Sequence, residues 1–306
     1  MDRVTAYAPG STSNVGPGFD CLGIAVDGIG DRVTAVRAAT PGVRVVSVSD
    51  ARIPLAAESN TAALGAAQVL RRLGREQEGV ELAIAKGLPL SGGLGGSAAS
   101  AVAGAFATHA LLGGSLDEAE LLRCAIEAEA VVAGRHPDNA APSLLGGAVV
   151  VLGAEPLRYT RIAVHASLRL VFVTPGYGVL TADARSVLPD GVSRADAVAQ
   201  AAALAGLVLG LERGDGELIG AAMVDRIAEP RRIPLYPGFT RARGAALEAG
   251  AFGVAVSGAG PTLLAVTSVP LADAVARAVS AAYAAEGIAV AALHSAGVDD
   301  RGARLE

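Results

Sequence analysis

Hydrophobic and polar positions fall into short blocks punctuated by glycine and proline, and the period of the blocks changes along the chain. Residues 3–8, 21–26, 31–37 and 43–48 read as strands, with a polar, Gly/Pro-rich loop at 10–18. Residues 60–73 place Leu64, Ala67, Gln68 and Leu70 on overlapping helical faces, and Gly74 is the stop. A strand at 80–85 runs into a glycine-rich turn at 88–96, followed by an apolar helix at 97–112. Ser115 and Glu118 have capping-box spacing and open a helix reaching about residue 133, before a strand at 145–152. A second unit opens near residue 161. It contains a strand at 168–174, helices at 194–211, 217–227 and 240–249, a hairpin-like pair at 253–257 and 262–267, and a helix at 271–285. Strands and helices mix without βαβ alternation, so the predicted class is α+β. The division falls at 1–157 and 158–306.

A chain of 306 residues is long for one core, which agrees with two domains. Hydrophobic residues reach 52% and charged ones only 18%, so a membrane protein has to be considered. The longest uncharged run, 87–116, holds eight glycines and a proline, and its helical part is too short to span a bilayer. The run 197–211 is shorter still. Much of the hydropathy is alanine, which suits closely packed helices in a soluble protein. The first residues show no basic-then-apolar leader, so a cytoplasmic enzyme is expected. Net charge is −5 with both signs interspersed, and aromatics are 3% with no tryptophan, which argues against nucleic acid as a partner. Cys21 and Cys124 lack the spacing of a metal site or disulfide framework and read as small packed side chains.

The strongest local signal is Pro89-Leu90-Ser91-Gly92-Gly93-Leu94-Gly95-Gly96-Ser97-Ala98-Ala99. Glycines between a strand and a helix let backbone approach a ligand, and the helix start offers unpaired N–H groups and a positive dipole end. That combination fits phosphate. No Gly-Lys-Ser/Thr follows, so it is not a Walker A loop. Gly93-x-Gly95-x-x-Ala98 fits a dinucleotide fingerprint, but the acidic residue required at a second strand end is missing, since Asp117 and Glu118 open a helix. Two further segments are turn-like when taken singly: 11–20, with Asn14 and Asp20 around Gly16-Pro17-Gly18, and 253–262, with Gly258 and Gly260.

In this order, the three segments resemble the GHMP kinase superfamily (galactokinase, homoserine, mevalonate and phosphomevalonate kinases). Residues 13–20, 136–142, 181–185, 229–232 and 256–262 narrow the resemblance to the homoserine kinases, over essentially the whole chain. Two departures are visible: Gly96 stands where the family pattern has a serine, and the stretch between Glu129 and His136 is one residue shorter. The resemblance implies an N-terminal half like the second domain of ribosomal protein S5 and a ferredoxin-like C-terminal half. ATP and an alcohol would meet between them, in a homodimer.

The same resemblance implies the site. Residues 89–99 would wrap the triphosphate, with Ser97 and Glu129 holding Mg²⁺ (Glu127 as the second choice) and Asn60 with Thr61 near adenine. For L-homoserine, Asp20 would take the ammonium and Arg185 and Arg232 the carboxylate, with Arg231 competing for the latter. Asn14 and Asn139 would align the hydroxyl, with Thr181 and Gly258 nearby and His136 and Asp138 orienting the substrate. An amide is no base near neutrality, so no side-chain base is expected. Another acceptor (mevalonate, shikimate or a sugar) and a catalytically silent ligand sensor on the same fold stay open as alternatives.

Overall fold

The computed structural model describes residues 2–132, 134–135 and 137–306. The first half runs β1 (Arg3–Asn14), β2 (Gly18–Ala38), β3 (Gly42–Val48), α1 (Thr61–Arg72), β4 (Gly79–Ala85), α2 (Gly96–Leu111), α3 (Glu118–Val132), α4 (Pro137–Leu145), β5 (Ala148–Ala154) and β6 (Leu157–Ile162). The second runs β7 (Leu168–Pro175), α5 (Thr181–Ser186), α6 (Arg194–Arg213), α7 (Gly216–Ala222), α8 (Glu229–Arg232), α9 (Phe239–Glu248), β8 (Gly253–Val256), β9 (Leu263–Ser268), α10 (Ala272–Ala285), β10 (Val290–Ala296) and β11 (Arg304–Leu305). The class is α+β in two sheets. The larger has the order β11-β1-β2-β4-β3, with β5 and then β6 added beside β2, and the smaller is antiparallel, β10-β7-β9-β8. The chain's end returns to the first sheet, where Ala6 faces Leu305.

The 21-residue β2 pairs with β1 on one edge and serves two partners on the other, its far end (32–38) pairing with β4 and its start (22–24) with β5. The expected loop at 10–18 is a correction. β1 continues to Asn14 through two register shifts, and only 15–17 turn. Ser11, Thr12 and Ser13 are buried and bonded to other segments, so their polarity marks a site instead of solvent. The capping box is likewise Asp117/Glu120, with Asp117 N donating to Glu120 Oε2 (3.1 Å) and Glu120 N to Asp117 Oδ1 (2.8 Å). The helix expected at 217–227 ends at Ala222.

The first core packs α1, α2 and α3 against the large sheet, and the second packs α9 and α10 on the small one. Helices α1 and α2 meet backbone to backbone: a Cβ at Gly65 would lie 2.4 Å from the Ala101 carbonyl, and one at Gly104 2.2 Å from that of Ala62. Alanine on the facing surfaces permits this approach, and the packing fixes where α2 begins. The 20-residue α6 is long and apolar enough, by length and composition alone, to cross a bilayer. Ser193 caps it, and Leu207 and Leu211 are fully buried.

Candidate active site

A cleft of about 580 Å³ opens where the two halves meet, with the loop 89–97 and the start of α2 on one side and segments 179–182 and 258–260 on the other. The loop's carbonyls are held from behind. Ser257 Oγ donates to Gly93 O (2.6 Å), Thr262 Oγ1 to Gly92 O, and Ser11 N to Leu94 O (3.1 Å). In a trans peptide the N–H points opposite the carbonyl, so the amides of Gly93, Leu94 and Gly95 point away from these anchors. Among the described residues no acceptor takes the N–H groups of Gly93 to Ser97. Gly93 (φ 71°) and Gly95 (φ 63°) are left-handed and leave no space for a side chain: a Cβ would lie 2.3 Å from Ser257 O at Gly93, and 2.2 Å from Ser11 Oγ at Gly95. The 16-residue α2 adds the positive end of its dipole at the same place.

Ser97 Oγ donates to Glu129 Oε1 at 2.6 Å. The other carboxylate oxygen of Glu129 is buried and has no partner among the described residues. Burial pushes the group up to about 8, opposed by the Ser97 hydroxyl and reinforced by Asp138. An unpartnered buried oxygen beside a hydroxyl, both on the cleft wall, is a donor pair suited to a hard cation, although no cluster of three or more His/Cys/Asp/Glu occurs among the described residues.

On the side of the cleft formed by the second half, Arg185 grips Asp20 through both oxygens (2.7 and 3.2 Å). Arg232 is buried. Its Nε donates to Ala184 O (2.8 Å) and its Nη1 reaches Gly258 O (3.4 Å), and its guanidinium lies 5.0 Å from the Phe19 ring. Among the described residues no carboxylate pairs with it. Burial lowers its pKa, with nearby Tyr236 acting in the other direction. Asp138 is fully buried with Oδ1 unpartnered. Burial and then Asp20 raise it to about 7, against the Ser13 hydroxyl and Arg185.

Asn139, on α4, accepts from Ser11 Oγ (3.0 Å) and donates to Ser13 Oγ (2.9 Å). Asn14 ties two loops together, donating to Gly258 O (2.8 Å) and accepting from Asp20 N (3.0 Å). The Asn60 side chain is occupied as the cap of α1 and as a donor to Pro54 O (2.8 Å). Pro89, Leu90, Ser91, Thr181 and Gly258 also line the cleft, whereas Leu94, Ala98 and Ala99 are buried beneath it. Glu127 pairs with Arg135 on the surface (3.0 Å), and Arg231 is exposed. His136 lies outside the described residues.

Sequence reasoning missed Phe19, which sits beneath both arginines, and the pair Lys86–Asp31. The first was legible as the aromatic between Gly18 and Asp20. The second was marked only by Lys86 being the chain's single lysine.

The fold and cleft are those of a two-domain phosphotransferase. Family models agree: residues 61–147 match the GHMP kinases N terminal domain, and 207–285 match the GHMP kinases C terminal model. A homoserine kinase from Xylella fastidiosa is 43% identical over 93% of this chain and 88% of its own. One from Trichormus variabilis is 37% identical over 99% of both. The crystal structure of homoserine kinase from Cytophaga hutchinsonii superposes with a TM-score of 0.94 at 39% identity, covering 100% of this chain and 98% of that one. The chain belongs to the homoserine kinase family of GHMP kinases.

Proposed function

We propose that this chain transfers the γ-phosphoryl group of ATP to the side-chain hydroxyl of L-homoserine, giving O-phospho-L-homoserine for threonine biosynthesis. The observation that carries the reading is the row of unpartnered amides from Gly93 to Ser97, in a cleft to which the other half contributes Arg185 and Arg232.

Phosphoryl transfer asks a protein to align two oxygens and neutralise charge. The amides of the loop and the start of α2 take the β- and γ-phosphate oxygens. Ser97 and Glu129 are the residues that would hold Mg²⁺, a hard cation that would supply charge neutralisation for the phosphates. Arg185 and Arg232 fork the amino-acid carboxylate. Asp20 and the free oxygen of Asp138 receive the ammonium, a cation that would return Asp138 toward the usual carboxylate range. Asn139, with Thr181 nearby, orients the hydroxyl. The hydroxyl oxygen bonds to the γ-phosphorus as the bond to the ADP oxygen breaks, and the hydroxyl proton passes to phosphate or water, because an amide cannot hold it.

A sugar, shikimate or mevalonate has no ammonium, so the paired anions and arginines favour an amino acid. A silent sensor would carry a lesion in Ser97, Glu129 or Asn139, all of which line the cleft. We place the protein in the cytoplasm as a homodimer, in keeping with the family. Sedimentation at the 30.3 kDa of one chain would remove the dimer. The function is tested by ADP release with Mg²⁺ and a panel of alcohols. Homoserine should be the best acceptor by a wide margin, and equal or faster turnover of mevalonate, shikimate or galactose would refute the assignment.

A further inference from the structure

Of the 25 basic side chains that are lysine or arginine, 24 are arginine and one, Lys86, is lysine. It follows β4, and its side chain is 7% exposed. Its ammonium meets three acceptors: Asp31 Oδ2, Gly96 O (2.7 Å) and Ser100 Oγ (3.0 Å). Ser100 Oγ donates to Asp31 Oδ2 (2.7 Å), and Gly87 N donates to Asp31 Oδ1 (3.1 Å), so every member of the buried network is satisfied. Three tetrahedral N–H groups fit three acceptors. A planar guanidinium, larger and forked, does not fit that geometry.

Lys86 and Ser100 themselves line the cleft, and one peptide plane joins the network to the phosphate-facing amides. Gly96 C=O and Ser97 N–H belong to the same planar unit and point in opposite directions. Holding the carbonyl fixes where Ser97 N–H points, and a charge-assisted bond on the oxygen polarises the N–H at the other end. That N–H is among the unpartnered amides at the start of α2. The ammonium also stands 3.4 Å from where a Cβ on Gly96 would sit, the position at which the family pattern carries a serine.

We infer that Lys86 is a positioning residue for phosphoryl transfer: through Gly96 O it orients and polarises Ser97 N–H toward the transferring phosphate, with Asp31 and Ser100 holding the ammonium in register. The inference rests on the proposed kinase reading.

Lys86→Met alone would leave Asp31 buried and unpaired and could unfold the protein. The informative variant is therefore Asp31→Asn/Lys86→Met, which removes both charges and keeps an acceptor for Gly87 N–H. Its melting temperature should stay within about 5 °C of the parent. Its kcat should fall about 30-fold and its KM for ATP should rise, with KM for homoserine changed less than about twofold. Lys86→Arg, folded and still cationic, should not restore kcat. Parental kcat and KM for ATP in either variant would overturn the inference and leave Lys86 a structural residue.

Lysine-selective ¹⁵N labelling separates this from failure of the wider reading, because it gives one backbone amide signal, that of Lys86, bonded to Ser49 Oγ (2.8 Å). The signal should move on adding Mg·ADP to the parent. A signal that moves alongside parental kinetics in the variants refutes the role of Lys86 alone. A signal that stays still, with no homoserine-dependent ADP release by the parent, refutes the kinase reading and this inference with it.

Discussion

Replacing Arg232 by lysine keeps the positive charge and removes the fork. In the structure two of the five guanidinium N–H groups are used, on Ala184 O and Gly258 O, and the plane lies over Phe19. The remaining donors sit on the cleft wall, where a carboxylate can take two of them in parallel. A lysine ammonium reaches one oxygen at a time, so one charge-assisted hydrogen bond is lost, about 2 kcal/mol. At ~1.4 kcal/mol per factor of ten, KM for homoserine should rise about 30-fold. KM for ATP should change by less than about twofold, since Arg232 belongs to the acceptor end. Stability should fall by ~1–2 kcal/mol, because Ala184 O loses its donor and Phe19 loses the planar guanidinium beside its ring. The assay is steady-state ADP release with each substrate varied against saturating amounts of the other, backed by calorimetry of homoserine binding. A parallel rise in both KM values, or an unchanged KM for homoserine, would refute the assignment of Arg232 to the carboxylate.

Three further outcomes follow from the same geometry. Asn139→Ala frees two hydroxyls that can rotate to new partners, so it should cost only about 1 kcal/mol of stability while lowering kcat at least ~100-fold; parental turnover would remove Asn139 from the site. Gly95→Ala places a Cβ 2.2 Å from Ser11 Oγ at a left-handed φ of 63°, so nucleotide binding should be abolished by calorimetry while homoserine binding is retained, and unchanged nucleotide affinity would contradict the loop's role. Asp138, raised from 3.8 to about 7, holds its proton more tightly when folded, so its contribution to stability falls as pH rises from about 4 to about 7 and is flat above. Asp138→Asn removes that fall, so the substrate-free variant should gain ~3 kcal/mol on the parent between pH 5 and pH 8, and parallel melting curves would contradict it.

The turn at 89–97 was more legible in the sequence than other parts of the fold. The glycine-rich loop announces itself because the backbone at Gly93 and Gly95 leaves no room for a side chain, and that requirement is local. The end of β1 was hidden because Ser11, Thr12 and Ser13 look like loop residues until their partners across the cleft, Asn139 and Ser257, are in view. Helix α4 was hidden by Pro137 and Pro142, which read as turn residues although both lie within it. Helices α5 and α8, of six and four residues, are too short for a period to show. β10 alternates between half-buried and exposed positions on an edge and carries little hydrophobic signal. Lys86 and Asp31 are 55 residues apart, and no local pattern links them.

The mutual pairing of Asp20 and Arg185 was also out of reach of the sequence, because 165 residues separate them and no local pattern links them. The pair is partly exposed, so breaking it to admit the charges of a substrate would cost little in a solvated setting. The buried charges are different. Arg232, Asp138 and Glu129 are held with unused donors or acceptors, an arrangement that stability alone does not favour and that an amino acid and a magnesium-bound nucleotide would complete.

The most direct test is a crystal structure with a non-hydrolysable ATP analogue, Mg²⁺ and L-homoserine. The terminal phosphates should lie on the amides of Gly93 to Ser97, the amino-acid carboxylate on Arg232 and Arg185, and the substrate hydroxyl beside Asn139, aimed at the γ-phosphorus. A nucleotide bound away from that loop, or a homoserine whose carboxylate faces Asp20 and Asp138, would contradict it.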